Sequence, residues 1–135
     1  MFIKVTLNMP GAKLPTRKHP KDAGLDVYMP SSGCLKQGPN CVDLGISIDV
    51  PNGYMANLYP RSSMNKIGII SLLAPIDPGY SGNIHLLVYN GSGSDYTYNK
   101  GDRLCQLVFH NIAVVIPSLD IEQNRGNNGL GSTGY

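Results

Sequence analysis

Four short stretches of this chain carry polar residues where a merely structural protein would gain nothing from them, and a fifth polar stretch closes the chain. In "APIDPGYSGN", residues 74–83, Asp77 is held between Ile76 and Pro78. The stiff turn would fix its carboxylate in one direction, as an oriented base needs. Tyr80 follows at a spacing that lets its ring lie beside whatever Asp77 addresses. In "YPRSSMNKIG", residues 59–68, Pro60 ends a strand. Arg61, Ser62 and Ser63 then offer a guanidinium fork, two hydroxyls and free N–H groups at the first turn of a short helix, which suits a phosphate. Asp26, in "DAGLDVY", sits between Leu25 and Val27, so its carboxylate has to be solvated or hydrogen-bonded. Gln106, in "GDRLCQLVF", falls on the face opposite Cys105, Leu107 and Phe109, where an amide presents both donors and an acceptor. The chain closes on "NRGNNGLGSTGY", residues 124–135. There Gly126, Gly129, Gly131 and Gly134 let backbone N–H groups curl round an anion, with Arg125, Ser132 and Thr133 completing the cage. Each stretch also has a plain reading: a solvent-facing turn or strand-edge aspartate, an ordinary loop, a satisfied sheet amide, a tail too poor in apolar residues to order itself.

The elements around these stretches read as β-structure. In "CVDLGISIDV" the residues Val42, Leu44, Ile46, Ile48 and Val50 alternate with polar or small ones, the pattern of one half-buried strand. "NIHLLVYN" repeats it with Ile84, Leu86 and Val88, and "FIKVTLN", "YMANLY", "IGIISLL", "RLCQLVFHNI" and "AVVIP" supply further strands. Pro10-Gly11, Pro51-Asn52-Gly53, Pro78-Gly79, Gly91-Ser92-Gly93 and Lys100-Gly101-Asp102 read as turns between them. Short strands at close spacing indicate a sandwich, jelly roll or small barrel. At 135 residues the chain is one domain, and only its last twelve residues leave the pattern.

Composition narrows the partners. With 11 Lys+Arg against 9 Asp+Glu and no run of like charge, the chain lacks the clustered basic surface of a nucleic-acid groove or membrane face, while a small polyanion stays compatible. Cys34, Cys41 and Cys105 are odd in number and have no metal-ligand spacing. They read as buried thiols in a reducing compartment, with a Cys34–Cys41 bridge across a turn as the alternative. The start, "MFIKVTLNMPGAKLP", shows no apolar leader, and no apolar run approaches a membrane span, so a cytoplasmic location is expected.

Taken in order, the polar stretches resemble the five motifs of the trimeric dUTP pyrophosphatase (dUTPase) family. The matches are "AGLD" at 23–26, "PRSS" at 60–63, "IDPGYSG" at 76–82, "GDRLCQLVF" at 101–109 and "RGNNGLGSTG" at 125–134. The resemblance implies an all-β, single-domain distorted jelly roll over residues 1–123 and a flexible phosphate-binding arm over 124–135. It implies a homotrimer with shared active sites that hydrolyses dUTP to dUMP and pyrophosphate, with Mg²⁺ held mainly by the triphosphate and waters. Asp77 would be the general base for water attack on the α-phosphorus, and Tyr80 would pack on the deoxyribose and exclude a 2′-hydroxyl. Backbone around Pro75, Ile76 and His85 would read uracil. Arg61, Ser62 and Ser63 would hold phosphates from a second subunit, Gln106 the α-phosphate region, and Arg125, Ser132 and Thr133 the γ end. Gly131 belongs to the closing arm, and Asp26 would hold a metal-bound water rather than the metal.

Three departures stand out. Leu130 occupies the place of a phenylalanine that stacks on uracil, Asn128 that of a glycine, and Ala74-Pro75 that of a glycine-containing segment, where Pro75 cannot donate a hydrogen bond. Two rival functions accompany the hydrolase. A dCTP deaminase of the same fold needs a glutamate in the following strand, where this chain has Leu87. A nucleotide-binding regulatory module with dUTP-dependent signalling to a protein partner fits a virus- or prophage-encoded protein acting in the host cytoplasm.

Overall fold

The computed structural model describes residues 1–120. It contains ten short strands and one short helix: β1 (Val5–Leu7), β2 (Leu25–Val27), β3 (Gly33–Leu35), β4 (Gly38–Asp43), β5 (Ile46–Ile48), β6 (Tyr54–Pro60), α1 (Ser62–Lys66), β7 (Ile69–Ser71), β8 (His85–Asn90), β9 (Tyr96–Tyr98) and β10 (Cys105–Asn111). All strand pairs are antiparallel. They form sheets of order β1-β5, β2-β10-β6, β3-β9 and β4-β8-β7. This is the distorted jelly roll that the resemblance predicts, and one of the three architectures that the strand spacing allows.

The alternating residues point inward as expected. Leu44, Ile46, Ile48, Val50, Ile84, Leu86 and Val88 all join one buried cluster, to which β2, β3, β6, β7, β9 and β10 also contribute. The predicted strand through residues 42–50 is instead two strands in different sheets. Gly45 adopts a φ of +72° between them, a conformation that costs glycine little, and the chain crosses from the β4 sheet to the β5 sheet there. The five predicted turns each carry a glycine at positive φ, at Gly11, Gly53, Gly79, Gly93 and Gly101.

Two further expectations are corrected. "AVVIP" forms no strand: Val114, Val115 and Ile116 are 77–90% exposed, and no strand among the described residues pairs with them. The cysteines are not uniformly buried. All three are free thiols, and only Cys105 is buried, while Cys41 is exposed. Cys34 pairs in register with Thr97 and Cys41 with Leu87, so the two stand in different sheets rather than across one turn.

Candidate active site

The segment before Asp77 is tied to the sheet by its backbone. Ile76 and Ala56 exchange both N–H···O bonds, at 2.8 and 3.1 Å, which fastens the segment to β6. The chain then reverses at Pro78-Gly79, where the Tyr80 N–H donates to the Asp77 carbonyl at 3.2 Å. A cavity of about 180 Å³ opens beside this turn. Pro75, Ile76, Asp77, Tyr80 and His85 all line it, so the structure brings together those described residues that the resemblance assigns to base, sugar and proton transfer. Leu58, Leu72, Ile84 and Leu87 supply apolar wall. The Asp77 side chain is exposed and has no hydrogen bond or ion pair among the described residues. A carboxylate left free in this way stabilises nothing and is available to a ligand.

The cavity's rings hang from one carbonyl. The Tyr80 hydroxyl donates to the Asn83 carbonyl at 2.8 Å, and His85 Nδ1 lies 3.0 Å from the same oxygen, which makes Nδ1 the protonated nitrogen. Asp43 stands directly opposite His85 in the β4–β8 register, with Oδ2 3.9 Å from Nε2. The Gly45 N–H that donates to Asp43 holds its carboxyl below the ordinary carboxylate value. Partial burial opposes that shift, and the Asn83 amide and His85 add to it.

Arg61, Ser63 and Arg103 line a second, polar basin of about 410 Å³ together with Tyr96 and Asp102. As predicted, β6 ends at Pro60 and a short helix begins at Ser62, anchored by buried Met64. The Arg61 N–H donates to the Leu104 carbonyl at 2.9 Å, and its Nη1 lies 3.4 Å from the Arg103 carbonyl. Ser62 is exposed on the same turn but does not line the basin. The basin and the Asp77 cavity share no lining residue.

Gln106 sits on the central strand β10, opposite Asp26 on β2 and Tyr59 on β6. Gly24 makes room for its amide, since a Cβ there would stand 2.5 Å from Gln106 Oε1. The reading of Asp26 as a solvent-facing edge residue is corrected. Its side chain is only 14% exposed and pairs with Arg103 at 3.3 Å, while its backbone is bonded to Thr16 as well as to β10. Among the described residues no three His, Cys, Asp or Glu side chains come together as a metal cage. Arg125, Leu130, Gly131, Ser132 and Thr133 lie outside the described residues.

Sequence reasoning missed Arg103, Asn83 and Asp43. Arg103 stands inside the quoted "GDRLCQ", and its one visible signal is a cation three residues before an in-strand amide. Asn83 and Asp43 gave no signal, because their contact joins residues forty positions apart in the chain.

The fold and site together define a jelly-roll protein with an apolar cavity, edged by one free carboxylate, standing apart from an arginine-lined basin. A family model described as dUTPase matches residues 11–134, and the chain belongs to that family. It is 36% identical over 139 residues to the deoxyuridine 5'-triphosphate nucleotidohydrolase of Kluyveromyces lactis, covering 98% of this chain and 93% of the relative. With the protein of the same name from Clostridium tetani it shares 32% identity over 139 residues, covering 98% and 96%. The dUTPase of phage phi11 of S. aureus superimposes with a TM-score of 0.82 at 23% identity, over 90% of this chain and 97% of that one. The dUTPase of Staphylococcus bacteriophage 80alpha gives 0.81 at 21%, over 89% and 96%. At those identities the two phage structures speak for the fold. A structural Mg(II) ion is coordinated in the phi11 protein, and control of the transfer of virulence genes by a proto-oncogenic G protein-like mechanism is ascribed to phage dUTPases.

Proposed function

We propose that this chain hydrolyses dUTP to dUMP and pyrophosphate, and that Asp77 is its general base. The observation that carries the reading is the free Asp77 carboxylate at the edge of the cavity that also holds Tyr80. Asp77 takes a proton from a water as that water's oxygen bonds to the α-phosphorus. The bond from the α-phosphorus to the bridging oxygen breaks, and pyrophosphate leaves with the bonding pair. The Tyr80 ring stacks along the deoxyribose, where a 2′-hydroxyl would collide with it. Uracil enters the apolar wall beside Pro75, Ile76 and His85.

The phosphates need cations that the Asp77 cavity does not supply. Arg61, with Ser62 and Ser63, reaches them from a second subunit, Gln106 contacts the α-phosphate, and Arg125, Ser132, Thr133 and the Gly131 backbone close over the γ end, with Leu130 against the base. This division of labour requires more than one copy of the chain, and the family's form is a homotrimer with three shared sites. Two observations support it: the basin and the cavity share no residue, and the apolar run at Val114, Val115, Ile116 and Leu119 finds no cover within the described chain. A Mg²⁺ would arrive with the triphosphate and its waters. Bound there, the ion would disperse phosphate charge, and Asp26 would hold one of its waters.

Deamination of dCTP is disfavoured, because Leu87 lines the cavity where the deaminase would need a carboxylate, and β8 holds none. Regulatory signalling of the kind ascribed to the phage proteins is a second reading, an added role that rests on likeness of fold. Turnover of dUTP, dCTP and dTTP with Mg²⁺ separates the three. Release of dUMP and pyrophosphate from dUTP alone is expected; conversion of dCTP to dUTP would support the deaminase, and nucleotide binding without turnover the regulatory module.

A further inference from the structure

We infer that Asp43, which lines no part of the cavity, is a positioning residue that sets deoxyribose-over-ribose selectivity through Asn83; the inference rests on the proposed dUTP hydrolysis. Tyr80 belongs to no strand and is 45% exposed. Its hydroxyl is held by the Asn83 carbonyl at 2.8 Å, and its ring lies over Gly82, where a Cβ would come within 2.7 Å of the hydroxyl. The height of the ring over the sugar therefore follows the position of that carbonyl.

The carbonyl is fixed from behind. Asn83 Nδ2 donates to both Asp43 oxygens, at 3.1 and 3.3 Å, and Asn83 Oδ1 accepts from Asn8 Nδ2 at 2.8 Å. Both ends of the Asn83 amide are engaged, so its side chain has one orientation. Asp43 is itself immobilised, because its Oδ1 accepts the Gly45 N–H at 2.8 Å at the positive-φ link between β4 and β5. The chain of contacts runs from that backbone link through Asp43 and Asn83 to the Tyr80 ring. A residue that only closed the end of β4 would need one hydrogen bond to Gly45. It would not need to grip the Asn83 amide, forty residues away in the chain and just ahead of the neighbouring strand β8.

The test compares kcat and KM for dUTP and UTP in the full chain with Mg²⁺, for wild type, Asp43→Ala and Asp43→Asn. Asp43→Ala should lower the dUTP/UTP ratio of kcat/KM by about tenfold, chiefly by raising KM for dUTP, with kcat for dUTP little changed because Asp77 is untouched. Asp43→Asn should restore the ratio, since an amide oxygen still accepts from Gly45 and from Asn83. Unchanged selectivity in Asp43→Ala would overturn the inference. Should that variant fail to fold, the exposed Asn8→Ala removes the other clamp on Asn83, and wild-type selectivity there would overturn it equally. A wild type that turns over neither nucleotide would defeat the hydrolase reading itself, a different result from a selective wild type beside an equally selective Asp43→Ala.

Discussion

Replacing Asp77 with asparagine separates folding from chemistry more cleanly than any other change in this chain. The Asp77 side chain is exposed and has no partner among the described residues, and the turn that carries it is held by backbone bonds from Ile76 and Tyr80. Asparagine keeps the shape and the preference for this turn. Stability should therefore stay within about 0.5 kcal/mol of wild type, the range for surface changes that touch no special feature. The amide cannot accept a proton from water. Losing a positioned base costs about 10²–10⁴ in kcat, which at about 1.4 kcal/mol per tenfold is roughly 3–5 kcal/mol of barrier. Binding should survive, since the apolar wall and Tyr80 remain. Three measurements decide the matter: pyrophosphate release at saturating dUTP and Mg²⁺, calorimetric titration with dUTP, and urea unfolding at fixed protein concentration. Turnover within about tenfold of wild type would remove Asp77 as the base, and a loss of activity that tracked a loss of folded protein would show its role to be structural.

Light scattering should give three times the 14.5 kDa mass of the chain; an active monomer would rule out shared sites. Removing the residues after Gln123 should leave the melting temperature nearly unchanged and abolish turnover, and a truncated chain that works normally would dismiss the arm. Leu130→Phe should add a stacking contact worth about 1 kcal/mol and lower KM for dUTP roughly fivefold. Cys41 should react with a thiol reagent in the folded protein while Cys105 waits for unfolding, because burial, reinforced by the Asp26 charge, pushes the Cys105 thiol up to about 12. In the unfolded chain that thiol ionises from about pH 8.5. The folded state then holds the extra proton, so Cys105 should cost stability as pH rises from there towards 12; an alkaline slope unchanged in Cys105→Ala would refute this.

The parts of the fold legible in the sequence are those that depend on near neighbours. Alternation in "NIHLLVYN" marks its buried face because side chains on a strand reverse at every residue, and Pro78-Gly79 marks a turn because few other pairs tolerate its backbone. The break at Gly45 was not legible, since an unbroken alternation continues through it and only the sheet that each half joins reveals two strands. "AVVIP" was misread for the converse reason: its residues favour a strand, but a strand exists only where another edge is offered to it, and none among the described residues is.

The same distinction governs the site. The sequence names Asp77 and Tyr80, the resemblance adds His85, and the fold brings all three to one cavity. The sequence equally names Arg61, which the fold delivers to a separate basin. A triphosphate carries more negative charge than the Asp77 cavity can meet, because apart from one carboxylate and one histidine that cavity is lined by uncharged side chains. Binding dUTP there without further cations would place its phosphates beside the carboxylate that must stay free to take a proton. Importing Arg61 from a neighbouring copy, and closing with Arg125, would resolve the conflict, because the cations would then come to the phosphates without pairing with Asp77 beforehand. Assembly would then be a requirement of the chemistry. Arg61→Ala should raise KM for dUTP, and at dUTP concentrations too low for that variant to turn over, mixing it with Asp77→Asn subunits should regenerate activity in the sites where intact Arg61 and Asp77 meet. Mixed trimers without any recovered turnover would mean that both residues serve the site of their own chain.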